Sequence, residues 1–216
     1  MHKGIALGSF AGLLVLVVLD SLAVRLGLAN GIVPRLVGTM PWVTSRALGI
    51  TAFVALTAEV VLGLSSSTGV ADRLIGRARL VDLHGWMSGL TLSLVTAHAL
   101  TLLLDAYAGL DLFDLAVPGV IASRRAGVAL GILSAYVGVA LHLSSRFRAR
   151  IGAKAWRRLH MGSFVAFVAA AAHGILAGTD ASARPMRILF GASLGVVAVL
   201  TALRISRAMK PSVRRA

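Results

Sequence analysis

The sequence predicts an all-α integral membrane bundle of six transmembrane helices, on three observations. Hydrophobic residues make up 57% of the 216 and charged residues only 14%, with a mean hydropathy of +0.87, far from the balance of a soluble globular domain. The apolar residues gather into six stretches, 5–27, 43–66, 81–104, 126–145, 156–178 and 187–205, each close to the roughly 20 residues that cross a bilayer as a helix. The five prolines (Pro34, Pro41, Pro118, Pro185, Pro211) all fall between or beyond these stretches, where a residue without an N–H interrupts no helical bond.

The first stretch follows Lys3 but is longer than the apolar segment of a secretion signal and has no convincing small-residue cleavage site, so it reads as a retained helix. It carries Asp20, and the second stretch carries Glu59. Carboxyls at membrane depth are costly; hydrogen-bonded packing is the expectation for both, with a proton or quinol role as the alternative. The second stretch opens at Trp42 and the fifth at Trp156, positions suited to interface anchoring. The third stretch holds His84 and His98, the fourth ends near His142, and the fifth holds His160 and His173. His142 has no partner at matching depth and reads as an interfacial histidine. The first and sixth stretches are the least polar and suit lipid-facing walls. Residues 1–216 therefore read as a single transmembrane domain, with no convincing internal repeat and no glycine-rich nucleotide-binding motif.

The net charge of +14 is explained by where the cations fall. With both termini on one side, that side collects Lys3, Arg73, Arg77, Arg79, Arg146, Arg148, Arg150, Lys154, Arg157, Arg158, Arg204, Arg207, Lys210, Arg214 and Arg215, which is 15 of the 22 basic residues. The opposite side carries Asp105, Asp111, Asp114 and Asp180. By the positive-inside rule the basic side is cytoplasmic. The sequence thus predicts a multi-pass cell-membrane protein with both termini in the cytoplasm, whose basic face meets anionic lipid and not nucleic acid.

No cysteine occurs, so disulfides, iron–sulfur clusters and thiolate zinc sites are excluded. Any metal chemistry rests on histidine, carboxylate or methionine. His84 and His98 are 14 residues apart, which on a regular helix separates them by about 21 Å along the axis and only about 40° around it. His160 and His173 are 13 residues apart, about 20 Å along the axis but about 140° around it. The third and fifth helices run in the same direction, each starting from the cytoplasmic side. His84 is therefore level with His160 near the inner face, and His98 with His173 near the outer face. On the fifth helix the awkward spacing requires either a local rewinding, such as a one-residue bulge, or ligands approaching from different angles.

Two imidazoles across a gap suit six-coordinate haem iron better than zinc, which takes four ligands. A porphyrin also needs room, and the neighbours are small: Gly85, Ser88 and Gly89 by His84; Ala97 and Ala99 by His98; Gly162 and Ser163 by His160; Ala169, Ala170, Ala172, Gly174 and Ala177 by His173. Close helix packing accounts for such residues equally well.

At Trp42-x-x-x-Arg46-Ala-x-Gly49, at Leu83-His84 through His98, and at Trp156-Arg-Arg-Leu-His160 through His173-Gly174, the chain resembles the ferric-reductase-like transmembrane family. That family includes NADPH oxidases, yeast-type ferric reductases and the haem membrane subunit of bacterial periplasmic methionine sulfoxide reductase. The likeness runs from about residue 42 to 181 and includes both histidine spacings. It implies two b-type haems, with His84 and His160 on the inner iron and His98 and His173 on the outer. Arg46 would meet an outer haem propionate through its guanidinium. Arg157 or Arg158 would do so for the inner haem, although the positive-inside signal explains that pair as well.

The resemblance further implies an electron conduit. The donor on the cytoplasmic side would be a separate flavoprotein, a quinol, or a flavin (FMN or FAD) bound at that face, and the acceptor outside the cytoplasm ferric iron, dioxygen or a partner reductase. The competing expectation is a haem-free transporter or assembly subunit whose histidines handle metal or protons.

Overall fold

The computed structural model describes residues 40–72, 74–105 and 108–209. Every regular element among them is helical: α1 (Met40–Thr68), α2 (Arg77–Leu102), α3 (Leu112–Ala116), α4 (Arg125–Arg146), α5 (Arg148–Ile151), α6 (Ala153–His160), α7 (Gly162–Ala177) and α8 (Arg184–Met209). Four segments are long and apolar enough to cross a membrane: α1, α4, Ala153–Ala177 (α6 with α7) and α8. The chain is thus a multi-pass membrane protein, all-helical over its described residues.

The remaining two predicted stretches differ. The stretch 5–27, with Asp20, lies outside the described residues. The stretch 81–104 forms α2, whose 26 residues give a length of about 39 Å, ample for a bilayer. Composition does not single it out as a span, because His98 and the Gly, Ser, Thr and Trp residues between 85 and 102 reduce its hydropathy.

The burial pattern is that of a bundle in lipid. Large apolar side chains such as Val54, Val81, Val139, Val165, Val168, Ile188 and Val199 point outward, while small polar ones, Ser45, Ser65, Thr68, Thr91, Ser134 and Ser193, are buried. In water that arrangement would cost stability at every helix. In hydrocarbon the outward residues lose nothing, and small hydroxyl residues let helices approach and bond across the interface.

The apolar core lies between α1, α7 and α8, where Phe53, Val60, Leu64, Phe167, Ala171, Phe190 and Val197 cluster. Phe53 stacks on Phe167 with ring centroids 5.8 Å apart and meets Phe190 at 5.0 Å. α2 packs along α1, and α4 packs along α7. The second interface is held by Ser134 Oγ, which donates to the Ala166 carbonyl at 2.8 Å. It is also close at Gly127, where an added Cβ would lie 2.9 Å from the Ala177 backbone.

Arginines close two helix ends. Arg124, in the left-handed region at φ 50°, donates to the Ala177 carbonyl at the end of α7 at 2.5 Å, and Arg207 of α8 donates to the Thr68 carbonyl at the end of α1. Both satisfy a terminal carbonyl and oppose the negative end of the helix dipole. The Arg124 cap marks the end of the bundle that carries His98 and His173, and the Arg207 cap the opposite end.

The fifth stretch is not one regular helix. α6 stops at His160, Met161 is a turn, and α7 begins at Gly162. Across the junction Met161 N–H reaches the Arg158 carbonyl at 3.3 Å and Phe164 N–H the Met161 carbonyl at 3.2 Å, both three residues back. Such 3₁₀ bonds wind the chain at about three residues per turn instead of 3.6. The rewinding required by the 13-residue spacing is therefore an overwound turn, not a bulge. Overwinding brings His173 nearer the face of His160.

Candidate metal centre

The structure brings the four histidines together in two pairs. The His84 and His160 rings lie 5.9 Å apart between centroids at 79°, and the His98 and His173 rings 6.2 Å apart at 71°. A metal ion held between two imidazole nitrogens at roughly 2 Å from each would put the ring centroids about 6 Å apart. Both gaps match that requirement. Among the described residues no group of three or more histidines, cysteines or carboxylates could hold a metal ion. Each pair therefore offers two imidazoles and no further protein donor among the described residues, a set that would fit a metal carried in a planar macrocycle and not a closed protein-only zinc site.

The neighbouring helices fix three of the rings. His84 Nδ1 lies 2.9 Å from the Glu59 carbonyl, His98 Nδ1 2.7 Å from the Ser45 carbonyl, and His173 Nδ1 2.9 Å from the Gly127 carbonyl. A carbonyl only accepts, so Nδ1 carries the proton in all three and Nε2 keeps a free lone pair. This is the second-shell arrangement by which metal-binding histidines are held in one tautomer and orientation. Ser45, almost wholly buried, also donates from Oγ to the His98 carbonyl at 3.1 Å.

Glycines make room for the same rings. A Cβ at Gly49 would lie 3.0 Å from the His98 ring, one at Gly63 3.1 Å from His84, and one at Gly131 2.6 Å from His173 Nδ1. The sequence reading missed these supports, although one signal was present: Gly49 and Gly63 are 14 residues apart, the interval of His84 and His98 on the facing helix. The small residues it did note divide. A Cβ at Gly85 or Gly89 would meet nothing, so helix packing does not explain them, whereas Gly174 lies tight against Phe190.

The arginines are placed unequally. Arg46 forms an ion pair with Asp180, each about 39% exposed, and its Nε is buried with no hydrogen-bond partner among the described residues. Arg157 and Arg158 are exposed. Arg204 of α8, which the sequence did not single out, is close enough to His160 to act on it electrostatically. His142 is hydrogen-bonded within the bundle, with Ser88 Oγ 3.1 Å from its Nδ1. The Glu59 carboxyl lies near Ser88, Thr91, His84 and His142, in a polar seam between α1, α2 and α4.

Trp156 does not simply anchor the interface. Its ring stacks on His160 with centroids 4.8 Å apart at 25°, and its indole N–H donates to Ser145 Oγ at 3.3 Å.

Comparison with known protein families finds a match to the ferric reductase like transmembrane component over residues 48–171, more than half of the chain. The matched segment contains His84, His98 and His160 and stops two residues before His173. No curated protein and no solved structure matches the chain. With the family match extending over α1, α2, α4 and the overwound junction to α7, the chain belongs to the ferric-reductase-like transmembrane family.

Proposed function

We propose that the protein is a six-helix membrane cytochrome that carries electrons across the bilayer through two b-type haems. The reading rests above all on the two facing imidazole pairs, spaced near 6 Å, with three of the four rings locked as Nδ1–H tautomers by backbone carbonyls. His84 and His160 hold the inner iron, and His98 and His173 the outer. Haem iron supplies one-electron redox chemistry between its ferric and ferrous states, with a potential set by its axial ligands and surroundings.

The protein's own residues do the rest. α1 and α4 present carbonyls and glycines that orient the imidazoles, and no side chain crowds Gly85 or Gly89 beside His84. Arg46, with its unpartnered Nε, meets an outer propionate, and Arg157 or Arg158 an inner one. The two unaccounted spans are α2 and the stretch 5–27. Both termini lie in the cytoplasm, since the basic residues gather at the ends of α4, α6 and α8 on the inner side. Electrons enter there from a separate flavoprotein, a bound flavin (FMN or FAD) or a quinol. They leave to an acceptor outside the cytoplasm: ferric iron, dioxygen or a partner reductase.

Purified protein should show a b-type absorption band on dithionite reduction and two haems per chain by pyridine haemochrome assay. His98→Ala should remove one haem's signal and largely keep the other. Protein colourless after expression with ample haem would end this reading in favour of a haem-free role.

A further inference from the structure

Three of the four imidazoles obey one rule. The helix packed against each supplies a carbonyl at one position and a glycine four residues later: Ser45 and Gly49 for His98, Glu59 and Gly63 for His84, Gly127 and Gly131 for His173. On α1 the two carbonyl–glycine sets are 14 residues apart. The same interval on α4 leads from Gly127 and Gly131 to Leu141 and Ser145, and here the rule breaks. Position 145 carries a side chain, whose hydroxyl donates to the Leu141 carbonyl at 3.0 Å, as does that of Ser144 at 2.8 Å. The carbonyl that would have held His160 is occupied, and His160 Nδ1 is buried with no hydrogen-bond partner among the described residues.

His160 is also the last residue of α6, so no continuing regular turn steadies it. What touches its ring is Trp156, one helical turn earlier, stacked at 4.8 Å. The indole is itself held by Ser145 through its N–H, and the Arg148 guanidinium carbon lies 4.5 Å from its centroid. An indole serving only as an interface anchor would turn its N–H to headgroups or water; this one spends it on the serine that broke the rule.

We propose that Trp156, anchored by Ser145, is the positioning residue for His160, an aromatic clamp standing where the other three ligands have a carbonyl and a glycine. The proposal rests on the two-haem reading above. Its consequence is an inner centre in which one ligand is positioned by side chains, whereas both outer ligands have a backbone carbonyl at Nδ1.

The test is low-temperature electron paramagnetic resonance and redox titration of the full-length protein in detergent. Wild type, Trp156→Ala, Trp156→Phe, Ser145→Gly and His160→Ala are compared. Wild-type protein without low-spin ferric haem signals overturns the two-haem reading itself. Given those signals, Trp156→Ala should shift or abolish the one that His160→Ala abolishes and leave the second signal and its midpoint potential unchanged. Trp156→Phe, which keeps the stack, should restore it, and Ser145→Gly should shift it in the same direction by less. The proposal is overturned if Trp156→Ala and Ser145→Gly leave both signals as in wild type. It is equally overturned if Trp156→Ala disturbs both signals alike, because the tryptophan would then act on the whole bundle.

Discussion

A histidine in a membrane helix acquires a definite chemistry only through what holds its second nitrogen. At His98 and His173 that hold is a backbone carbonyl, with a glycine leaving the ring just enough space. The glycine at 131 is the tightest, since a Cβ there would sit 2.6 Å from His173 Nδ1. Gly131→Ala should therefore displace the ring and reduce haem content at the outer site, whereas Gly49→Ala, at 3.0 Å, should cost less; haem-to-protein ratios of the two purified variants check the order. Arg46 offers a second residue-level test. Its pair with Asp180 is partly exposed, and such pairs contribute about 1 kcal/mol or less. If Arg46 also meets an outer propionate, Arg46→Ala should lower outer-site haem retention well beyond the effect of Asp180→Asn, as followed by haem loss on heating.

At the scale of the element, the overwound turn at Met161 decides whether both pairs can form at once. Inserting one alanine between Met161 and Gly162 gives His160 and His173 the 14-residue spacing of α2 but rotates α7 by about 100°. The Ser134–Ala166 bond and the His98–His173 pair should be lost together, while the inner pair on α6 is left in place. Retention of both haem signals in the insertion variant would show that the junction is not a register device. Ser134→Ala alone removes one buried interhelical bond, worth about 0.6 kcal/mol in a membrane, and should shift unfolding in denaturing detergent slightly without changing haem content.

For the whole molecule, the charge asymmetry makes a prediction about orientation. The chain has no cysteine, so single cysteines can be introduced as topology markers. Cysteine at Ala149, among the arginines of α5, should be labelled by an impermeant thiol reagent only when the cytoplasmic face is exposed. Cysteine at Ala181, beside the Arg46 partner Asp180, should be labelled from outside in intact cells. The reverse pattern would invert the direction of electron flow proposed here.

The all-helical membrane class, the locations of α1, α4 and α8, and the two-level arrangement of histidines were legible from hydropathy, proline placement and helical periodicity. These are local or nearly one-dimensional properties, and a bilayer enforces them by penalising every exposed backbone polar group. The family was legible too, from short motifs around the histidines. What the sequence did not determine was the interior of each site. The 13-residue interval demanded an irregular helix without saying which kind, because over- and underwinding both rotate a side chain and only contacts with α2 and α4 choose between them. The carbonyls of Ser45, Glu59 and Gly127 carry no sequence signature, since every residue has one. The partnering of His142 with Ser88 and the stacking of Trp156 on His160 depend on helix rotation, which hydropathy leaves undetermined when the outward face meets lipid and neither face is penalised by water.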